Sequence, residues 1–368
     1  MNNFDVANIA LKAVCPSNEM IVDDKGMPSV MVKIPKCTWA DLGIGTSTET
    51  FPAFIINGKE VDAIYFSKYQ NIVQNSRAYS LPGQDPGTGI NLDNSAARCS
   101  AKGEGWHLQT RLEWMAVALW CLKNGFAPNG NNNYGRDYGE TIYKAIPTSY
   151  GSDGKINRVA TGTGPLSWSH NGEPDGIWDL NGNVSEWVGG IRTVYGELQV
   201  ISHDGKTFGN DAADPDNSQS VTSSLWYAID GTTGELITPN GTGTTPNSLK
   251  LDMVSAKWQW VTGAIADAKD EARYSSLSGV TCADTVCEAA KNILRALGML
   301  ALDGVESTAY KSDVLYGNNA AAERSFCCGG NWGHASVAGV FYAHGRYPRS
   351  DTHGSVGFRA AFVELPTA

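Results

Sequence analysis

Short apolar runs alternate with polar turns near the start of the chain. In Val30–Pro35 and Ala63–Phe66, β-branched and aromatic residues alternate with small or polar ones. This alternation is typical of β-strands that present one face to a core. After an N-terminal extension over residues 1–28, the sequence therefore predicts an opening made of short strands.

Helical periodicity is found at three places further along. Thr110 and Glu113 form a capping box ahead of an apolar stripe, and Gly125 can take the left-handed conformation that ends a helix. A helix is therefore predicted from Thr110 to Gly125. A second is predicted over Asn91–Lys102. A third is predicted over Asp284–Leu297, where apolar residues recur at helical spacing.

The middle of the chain has a different composition. From residue 195 to about residue 280, Gly, Thr, Ser, Asn and Asp are frequent, and such stretches indicate turns and loops. We predict an insertion or subdomain over residues 195–280, with the main domain over 29–194 and 281–368. Helices and strands alternate too irregularly for a doubly wound parallel sheet, so the predicted class is α+β with much coil.

Composition excludes several classes of function. A net charge of −10 over 368 residues, without a run of Lys or Arg, argues against nucleic acid as a partner. No apolar run approaches the roughly 20 residues that cross a bilayer, so no membrane insertion is expected. The first 22 residues lack the pattern of a signal peptide. The eight cysteines match no disulfide framework or paired zinc motif and are expected to be reduced.

Three motifs follow one another in order. Residues 105–114 are GWHLQTRLEW, residues 176–187 are GIWDLNGNVSEW, and GGNW at 329–332 is followed by GFR at 357–359. Together they resemble the formylglycine-generating-enzyme branch of the C-type lectin fold, over nearly the whole chain apart from the predicted insertion. The resemblance implies a loop-rich C-type lectin fold of the formylglycine-generating-enzyme type.

The second motif carries candidate cation ligands. Asp179 and Glu186 bracket a tight turn at Gly182, and oxygen ligands of this kind suit Ca²⁺. The resemblance implies a structural calcium held by Asp179, Glu186 and the carbonyl groups of Gly182 and Val184. An alternative stays open at this point, in which Glu186 and Asp179 pair with Arg359 or cap backbone amides.

The resemblance also raises the question of an oxidase. Members of the family bind copper through two thiolates that follow the GG-x-W stretch, at the places where this chain has His334 and Gly339. Cys327 and Cys328 precede the tryptophan instead. We therefore expect no copper and no enzymatic activity.

The C-terminal segment has an unusual composition. Residues 324–363 contain no Lys, Glu, Gln or Met, contain Trp only at Trp332, and hold three of the six histidines. Randomising the adenines of the asparagine codons AAC and AAT excludes Lys, Glu, Gln, Met and Trp but gives His, Tyr, Arg, Asp, Gly, Ser and Val. The segment therefore resembles the variable region of proteins that retroelements diversify, placed here at about 324–359. The alternative is an ordinary segment that lacks Lys and Glu by chance.

Comparison with the asparagine-rich templates of such regions predicts which positions vary and bind ligand. They are Gly333, His334, Val337, Tyr342, His344, Arg346, Tyr347, Asp351, His353 and Ser355. Binding residues tend to collect on loops held by a rigid scaffold, and Tyr, Arg, His and Gly form adaptable contacts. Trp332, Phe341, Phe358 and Arg359 are predicted to be scaffold, with Arg359 paired to Glu186.

These observations predict recognition as the function. The resemblance implies a phage or prophage receptor-binding protein, located in a phage tail or on a bacterial surface. Its partner would be a host cell-surface protein or glycan, and it would assemble as a homo-oligomer or a tail component. The alternatives are a formylglycine-generating-type oxidase and a lectin with a fixed calcium-dependent sugar site, to which Glu173-Pro174-Asp175 is a near match.

Overall fold

Residues 4–365 are described by the computed structural model, and they combine helices with many short strands. Within this range the α-helices are α1 (Asp5–Val14), α2 (Leu92–Ser100), α3 (Arg111–Lys123) and α4 (Glu288–Ala296). One-turn 3₁₀ helices lie at Ala40–Leu42, Pro52–Phe54, Leu166–Trp168, Asp211–Ala213, Leu277–Gly279, Ser307–Tyr310 and Ala335–Val337. The predicted α+β class with much coil is confirmed.

The strands are short and occur along the whole described chain. The first are β1 (Asn18–Val22), β2 (Pro28–Pro35), β3 (Ile55–Ile56), β4 (Lys59–Glu60), β5 (Ala63–Ser67), β6 (Ile72–Gln74), β7 (Arg77–Tyr79), β8 (Trp106–Leu108), β9 (Ser185–Val194) and β10 (Glu197–Ile201). The others are β11 (Trp226–Ile229), β12 (Leu236–Ile237), β13 (Lys250–Val254), β14 (Lys257–Val261), β15 (Arg273–Ser276), β16 (Thr281–Cys282), β17 (Val314–Gly317), β18 (Arg324–Cys328), β19 (Ala343–Tyr347), β20 (Val356–Phe358) and β21 (Ala360–Phe362). The two strands predicted near the start correspond to β2 and β5.

The predicted helices are all present, with one changed boundary. The Thr110 hydroxyl accepts the Glu113 N–H while the Glu113 carboxylate accepts the Thr110 N–H, so the capping box of α3 is complete. Gly125, with a φ of +73°, follows the end of this helix. The side chain of Asn91 caps α2. In contrast, α4 begins at Glu288 and not at residue 284, because the Cys287 side chain accepts the N–H of Ala290 and caps the helix there.

The N-terminal extension is part of the first sheet, which the sequence did not predict. The strand order of this antiparallel sheet is β1-β2-β5-β21-β8. β1 pairs with β2, and Asn18 lies opposite Val32. The predicted extension over residues 1–28 therefore contains a helix and a paired strand, while residues 1–3 lie outside the described part of the chain. β21 brings the C-terminal end of the chain between β5 and β8.

The second sheet is centred on β9. Its main strand order is β15-β17-β19-β18-β9-β10-β13-β14-β16. β20 pairs with β9 in parallel, and β11 extends from β10 and carries β12. The C-terminal segment thus pairs with β9 through β18 and again through β20. This brings two of the sequence motifs, the turn before β9 and the GFR stretch, side by side.

The segment 195–280 continues this sheet. It supplies β10 to β15, and its residues Leu198, Leu251 and Trp258 belong to the same buried apolar cluster as Trp114 of α3. It therefore shares a core with the rest of the protein and does not form a separate one. That it is an insertion relative to other proteins stays a prediction. Within residues 4–365, no helix is long and apolar enough to cross a membrane.

Candidate ligand-binding surface

The ten positions predicted to vary lie on two loops and the strand between them. Residues 329–342 connect β18 to β19, and residues 348–355 connect β19 to β20. The side chain of Arg349 holds the second loop, because its guanidinium donates to Glu323, Asp93 and the carbonyl of Gln219. Both loops connect strands of the sheet that centres on β9.

The ten predicted ligand-binding positions differ in their exposure. Gly333, Arg346 and His353 are exposed, and His334, Val337, Tyr347 and Asp351 are partly exposed. Tyr342, His344 and Ser355 are buried. The first seven can contact a ligand directly. The last three, although predicted as ligand-binding, lie beneath their neighbours in this conformation and support them.

Contacts between rings join half of these positions into one group, which we call the ring cluster: His334, Tyr342, His344, Tyr347 and His353. The centroids of His334 and Tyr342 are 5.1 Å apart, and those of His344 and Tyr347 are 4.6 Å apart. Tyr342 lies 5.9 Å from His344 and Tyr347 lies 6.2 Å from His353. The cluster therefore runs without a break from the first loop through β19 to the second loop.

The ring cluster is largely neutral. Burial lowers the pKa of His334 to about 4 and that of His344 to about 3, so both imidazoles are uncharged at neutral pH. The guanidinium of Arg346 lies 5.0 Å from the centroid of the Tyr347 ring, which is within the range of a cation–π contact. Among the ten predicted positions, the charged residues are Arg346 and Asp351. The surface therefore offers aromatic faces with little net charge.

Two buried polar atoms of the cluster lack a hydrogen-bond partner. They are the hydroxyl of Tyr342 and Nδ1 of His344. Buried polar groups in proteins are nearly always hydrogen-bonded, so each unpaired one calls for an explanation. These two atoms give the cluster hydrogen-bonding capacity that its own residues do not use.

Two tyrosines from earlier strands enlarge the cluster. The Tyr316 ring on β17 lies 4.9 Å from that of His344 and 5.9 Å from that of Tyr342. Tyr274 on β15 lies 4.8 Å from Tyr316 and is 56% exposed. Neither was predicted from the sequence. Their only local signal is an aromatic residue within a short strand, which does not indicate what the ring contacts.

A loop rich in tyrosine and isoleucine borders the loop of residues 329–342. Its large exposed side chains are Tyr138, Ile142, Tyr143, Ile146 and Tyr150, each at least 59% exposed. The N–H of Tyr134 donates to the carbonyl of Trp332, and the N–H of Ala335 donates to the carbonyl of Asn132. This loop was not predicted from the sequence, because its large apolar residues lie among Gly, Thr and Pro and do not indicate what they face.

The floor of the first loop is fixed by buried groups. The indole N–H of Trp114 donates to the carbonyl of Val340 over 2.7 Å. The Asp313 Oδ2 atom accepts the N–H of Phe341 over 2.8 Å, while its Oδ1 atom has no partner. Because the carboxyl is buried, its pKa is raised to about 7. Phe341 is buried, as predicted for a scaffold residue.

We expect Asp313→Asn to change how stability depends on pH. Between pH 4 and 7 the unfolded chain loses this proton and the folded chain keeps it, so the Asp313 contribution falls as pH rises through that range. The asparagine variant should therefore gain stability relative to wild type from pH 5 to pH 8. Urea unfolding at pH 5 and at pH 8 measures the difference in the free energy of unfolding between Asp313→Asn and wild type. The exposed Asp284→Asn variant is the control, and an equal difference at both pH values for Asp313→Asn would contradict the prediction.

The predicted calcium ligands are brought together by the turn before β9. The carbonyls of Asp179, Gly182 and Val184 and the carboxylate of Glu186 all lie within 3.4 Å of one atom. That atom is the amide nitrogen of Gln70. Because a hydrogen-bond donor stands among these oxygens, the residues present do not fit a calcium ion at this point. Among residues 4–365, no group of three or more His, Cys, Asp and Glu side chains could hold a metal ion.

The alternative roles of the two acids are confirmed. Glu186 pairs with Arg359 over 2.7 Å, and both side chains are buried. Oδ2 of Asp179 accepts the N–H of Gly162 over 2.9 Å. Burial raises the pKa of the Asp179 carboxyl to about 6. Both acids therefore contact groups of the protein itself.

The cysteines near the site are buried thiols. All eight cysteines are free of disulfides, as expected. Burial raises the pKa of Cys328 to about 11 and raises that of Cys327 as well, which opposes thiolate formation. The Sγ atom of Cys328 accepts a hydrogen bond from Arg111. These features disfavour copper thiolates, and the absence of oxidase activity stays a prediction.

The near match to a sugar-binding motif is engaged in structural contacts. The Asp175 carboxylate accepts hydrogen bonds from Ser17 and Asn171, and the carbonyl of Pro174 accepts one from the ammonium of Lys68. The polar groups of Pro174 and Asp175 therefore connect this loop to the N-terminal part of the chain. Nothing in this geometry favours a fixed sugar site there.

Comparison with known proteins finds similarity only among solved structures. No protein-family model and no curated protein sequence matches the chain. PvdO from Pseudomonas aeruginosa is 13% identical with a TM-score of 0.33, over 92% of this chain and 95% of its own. Treponema denticola variable protein 1 is 12% identical with a TM-score of 0.34, over 95% of this chain and 100% of its own. The Major Tropism Determinant U1 variant is 10% identical with a TM-score of 0.29, over 94% of this chain and 71% of its own.

By their names, two of these three structures are a variable protein and a tropism determinant, and it is the composition of the C-terminal segment that resembles such proteins. Identities of 10–13% and TM-scores below 0.5 assign no role to any residue of this chain. The formylglycine-generating-enzyme type of the fold stays a prediction.

Proposed function

We propose that this chain is a ligand-binding protein whose C-terminal surface, at about residues 324–359, is diversified by a retroelement. One observation carries the proposal. The positions that the template comparison predicts to vary include the five members of the ring cluster, which contact one another in a continuous series. A chance shortage of Lys and Glu gives no reason for such positions to meet.

The support under this surface suits repeated change of its side chains. The loops are held by buried groups that lie outside the ten positions, such as Trp114, Asp313 and Arg349. Exposed positions such as Gly333, Arg346 and His353 can therefore change without removing a core contact. Binding surfaces that use Tyr, Ser, Gly and Arg on a rigid support recognise many ligands in this way.

The chemistry of the surface indicates the class of ligand. Neutral imidazoles, tyrosine rings and one exposed guanidinium stack on or hydrogen-bond to uncharged polar groups. A net charge of −10 disfavours a polyanionic partner. We propose a protein or glycan on the surface of a host cell as the partner, and a phage tail or a bacterial surface as the location.

The proposal is tested in the native genome. We expect a near-copy of the coding segment for residues 324–363 close to the gene, with asparagine codons at the predicted positions and a reverse transcriptase gene beside it. Differences confined to adenines of the template would support diversification. A region without such a copy would contradict it, and the composition of the segment would then be chance.

A library test measures the tolerance that diversification requires. Randomising Gly333, Arg346 and His353 with the 14 residues other than proline that adenine mutagenesis gives should leave the melting temperature within about 2 °C of wild type, because exposed changes away from special features are nearly neutral. The matched library at Phe341 and Phe358 should lose most folded members, because both rings are buried. Equal loss in the two libraries would contradict the proposal.

A further inference from the structure

The turn that precedes β9 is organised around one side chain from a distant part of the chain. Gln70 is completely buried, and its Nε2 atom lies 3.2 Å from the carbonyl oxygen of Asp179 and 3.4 Å from that of Gly182. The same atom lies 3.0 Å from the carbonyl oxygen of Val184 and 2.9 Å from Oε1 of Glu186. Four oxygens of one turn thus surround a single nitrogen.

The orientation of the Gln70 amide is fixed by its neighbours. The backbone N–H of Val159 can only donate, and it donates to Oδ1 of Asn183 over 2.9 Å. The Nδ2 atom of Asn183 therefore faces Gln70 and donates to its Oε1 atom over 2.8 Å. Consequently Nε2 of Gln70, and not Oε1, faces the four oxygens.

Distances and charge distinguish an amide from a cation at this position. Calcium ligands stand at about 2.3–2.6 Å from the ion, whereas these oxygens stand at 2.9–3.4 Å from the nitrogen. The carboxylate of Glu186 is already paired with the guanidinium of Arg359 over 2.7 Å. It also accepts a hydrogen bond from Gln109 over 3.1 Å. A neutral donor faces these oxygens without adding a charge that the turn cannot balance.

We propose that the amide of Gln70 takes the structural role of a cation in this turn, and that the wild-type turn is therefore independent of calcium. The amide has two hydrogens for four oxygens. Without it, the buried carbonyl oxygens of Asp179, Gly182 and Val184 would lose this donor, which is costly. A shorter, anionic side chain at position 70 would leave empty the place that Nε2 of Gln70 occupies among the four oxygens. It would also add a second carboxylate beside Glu186, as a calcium ion requires. The same oxygens would then form a latent calcium site.

The experiment compares Gln70→Asp with wild type in EDTA and in millimolar calcium chloride. Wild type should melt within about 1 °C in the two buffers. Gln70→Asp should melt lower in EDTA, because its carboxylate faces that of Glu186, and should rise by about 3 °C or more when calcium is added, because a ligand that binds only the folded state stabilises it. Gln109→Asp is the matched control. It faces the same carboxylate without the three carbonyls and should gain no calcium response.

Several outcomes would overturn the proposal. One is a wild-type melting temperature that rises with calcium, and another is stoichiometric heat in a calorimetric titration of wild type with calcium chloride. Either result would mean that a cation displaces the Gln70 amide. Gln70→Asp without a calcium response would overturn the latent site. If Gln70→Asp does not fold even in calcium, that half of the proposal fails, and the titration of wild type still tests the other half.

Discussion

Replacing Arg359 with methionine is expected to lower the free energy of unfolding by about 3–5 kcal/mol, the range found when one member of a buried ion pair is removed. Arg359 and Glu186 are both fully buried, and their closest atoms are 2.7 Å apart. Without the guanidinium, Glu186 keeps only the neutral donors Gln70 and Gln109. The carboxylate would then be buried without a counter-charge.

The Arg359 guanidinium also satisfies three backbone carbonyls. It donates to the oxygens of Ser67, Lys68 and Trp178 in addition to Glu186. These carbonyls belong to the end of β5 and to the turn before β9, so one side chain connects the two sheets. Methionine fills a similar volume but donates no hydrogen bond, and the loss of these contacts adds to the electrostatic cost.

Urea unfolding of Arg359→Met against wild type measures this prediction. Arg346→Met is the matched control, because Arg346 is exposed and makes no buried pair, and it should change the free energy of unfolding by less than about 0.5 kcal/mol. The double variant Arg359→Met with Glu186→Gln should recover part of the loss by removing the unpaired charge. If the free energy of unfolding of Arg359→Met is within about 1 kcal/mol of the wild-type value, a structural role for the pair of Arg359 and Glu186 would be contradicted.

Gly130→Ala is expected to destabilise the protein by about 3 kcal/mol or more, at the upper end of what overpacking costs. A Cβ atom at this position would lie 1.7 Å from the carbonyl oxygen of Asn181, which belongs to the backbone and cannot rotate away. The two chain segments would have to separate. This would disturb the hydrogen bond from the Asn183 N–H to the carbonyl of Asn131. It would also shift the neighbouring Asn132, whose carbonyl accepts the N–H of Ala335 in the loop of residues 329–342.

Thermal and urea unfolding of Gly130→Ala provide the measurement. Gly263→Ala is the matched control, because a Cβ atom there meets no atom within 4 Å and the backbone of Gly263 does not lie in the left-handed region. It should stay within about 0.5 kcal/mol of wild type. A Gly130→Ala variant as stable as the control would mean that the contact with Asn181 relaxes freely.

Local features were predictable because their signals lie within a few residues. The capping box at Thr110 and Glu113 gives the start of α3, since both hydrogen bonds join residues three apart. Alternating apolar residues gave β2 and β5 for the same reason. The pairing of Arg359 with Glu186 was also predictable, because a charge within an apolar strand requires a partner of opposite sign.

By itself the sequence determined which positions of the C-terminal segment are predicted to vary, because that prediction rests on residue types and on the template pattern of such regions. Only the tertiary structure decided which of them reach the surface. Tyr342 and His344 are buried under neighbours that include Tyr316. Likewise, the oxygens of the turn suggested a cation, but Gln70, 116 residues before Glu186, lies among them. Contacts between residues so far apart form only when the whole chain folds. Local periodicity reflects neighbours in sequence, so it cannot predict such contacts.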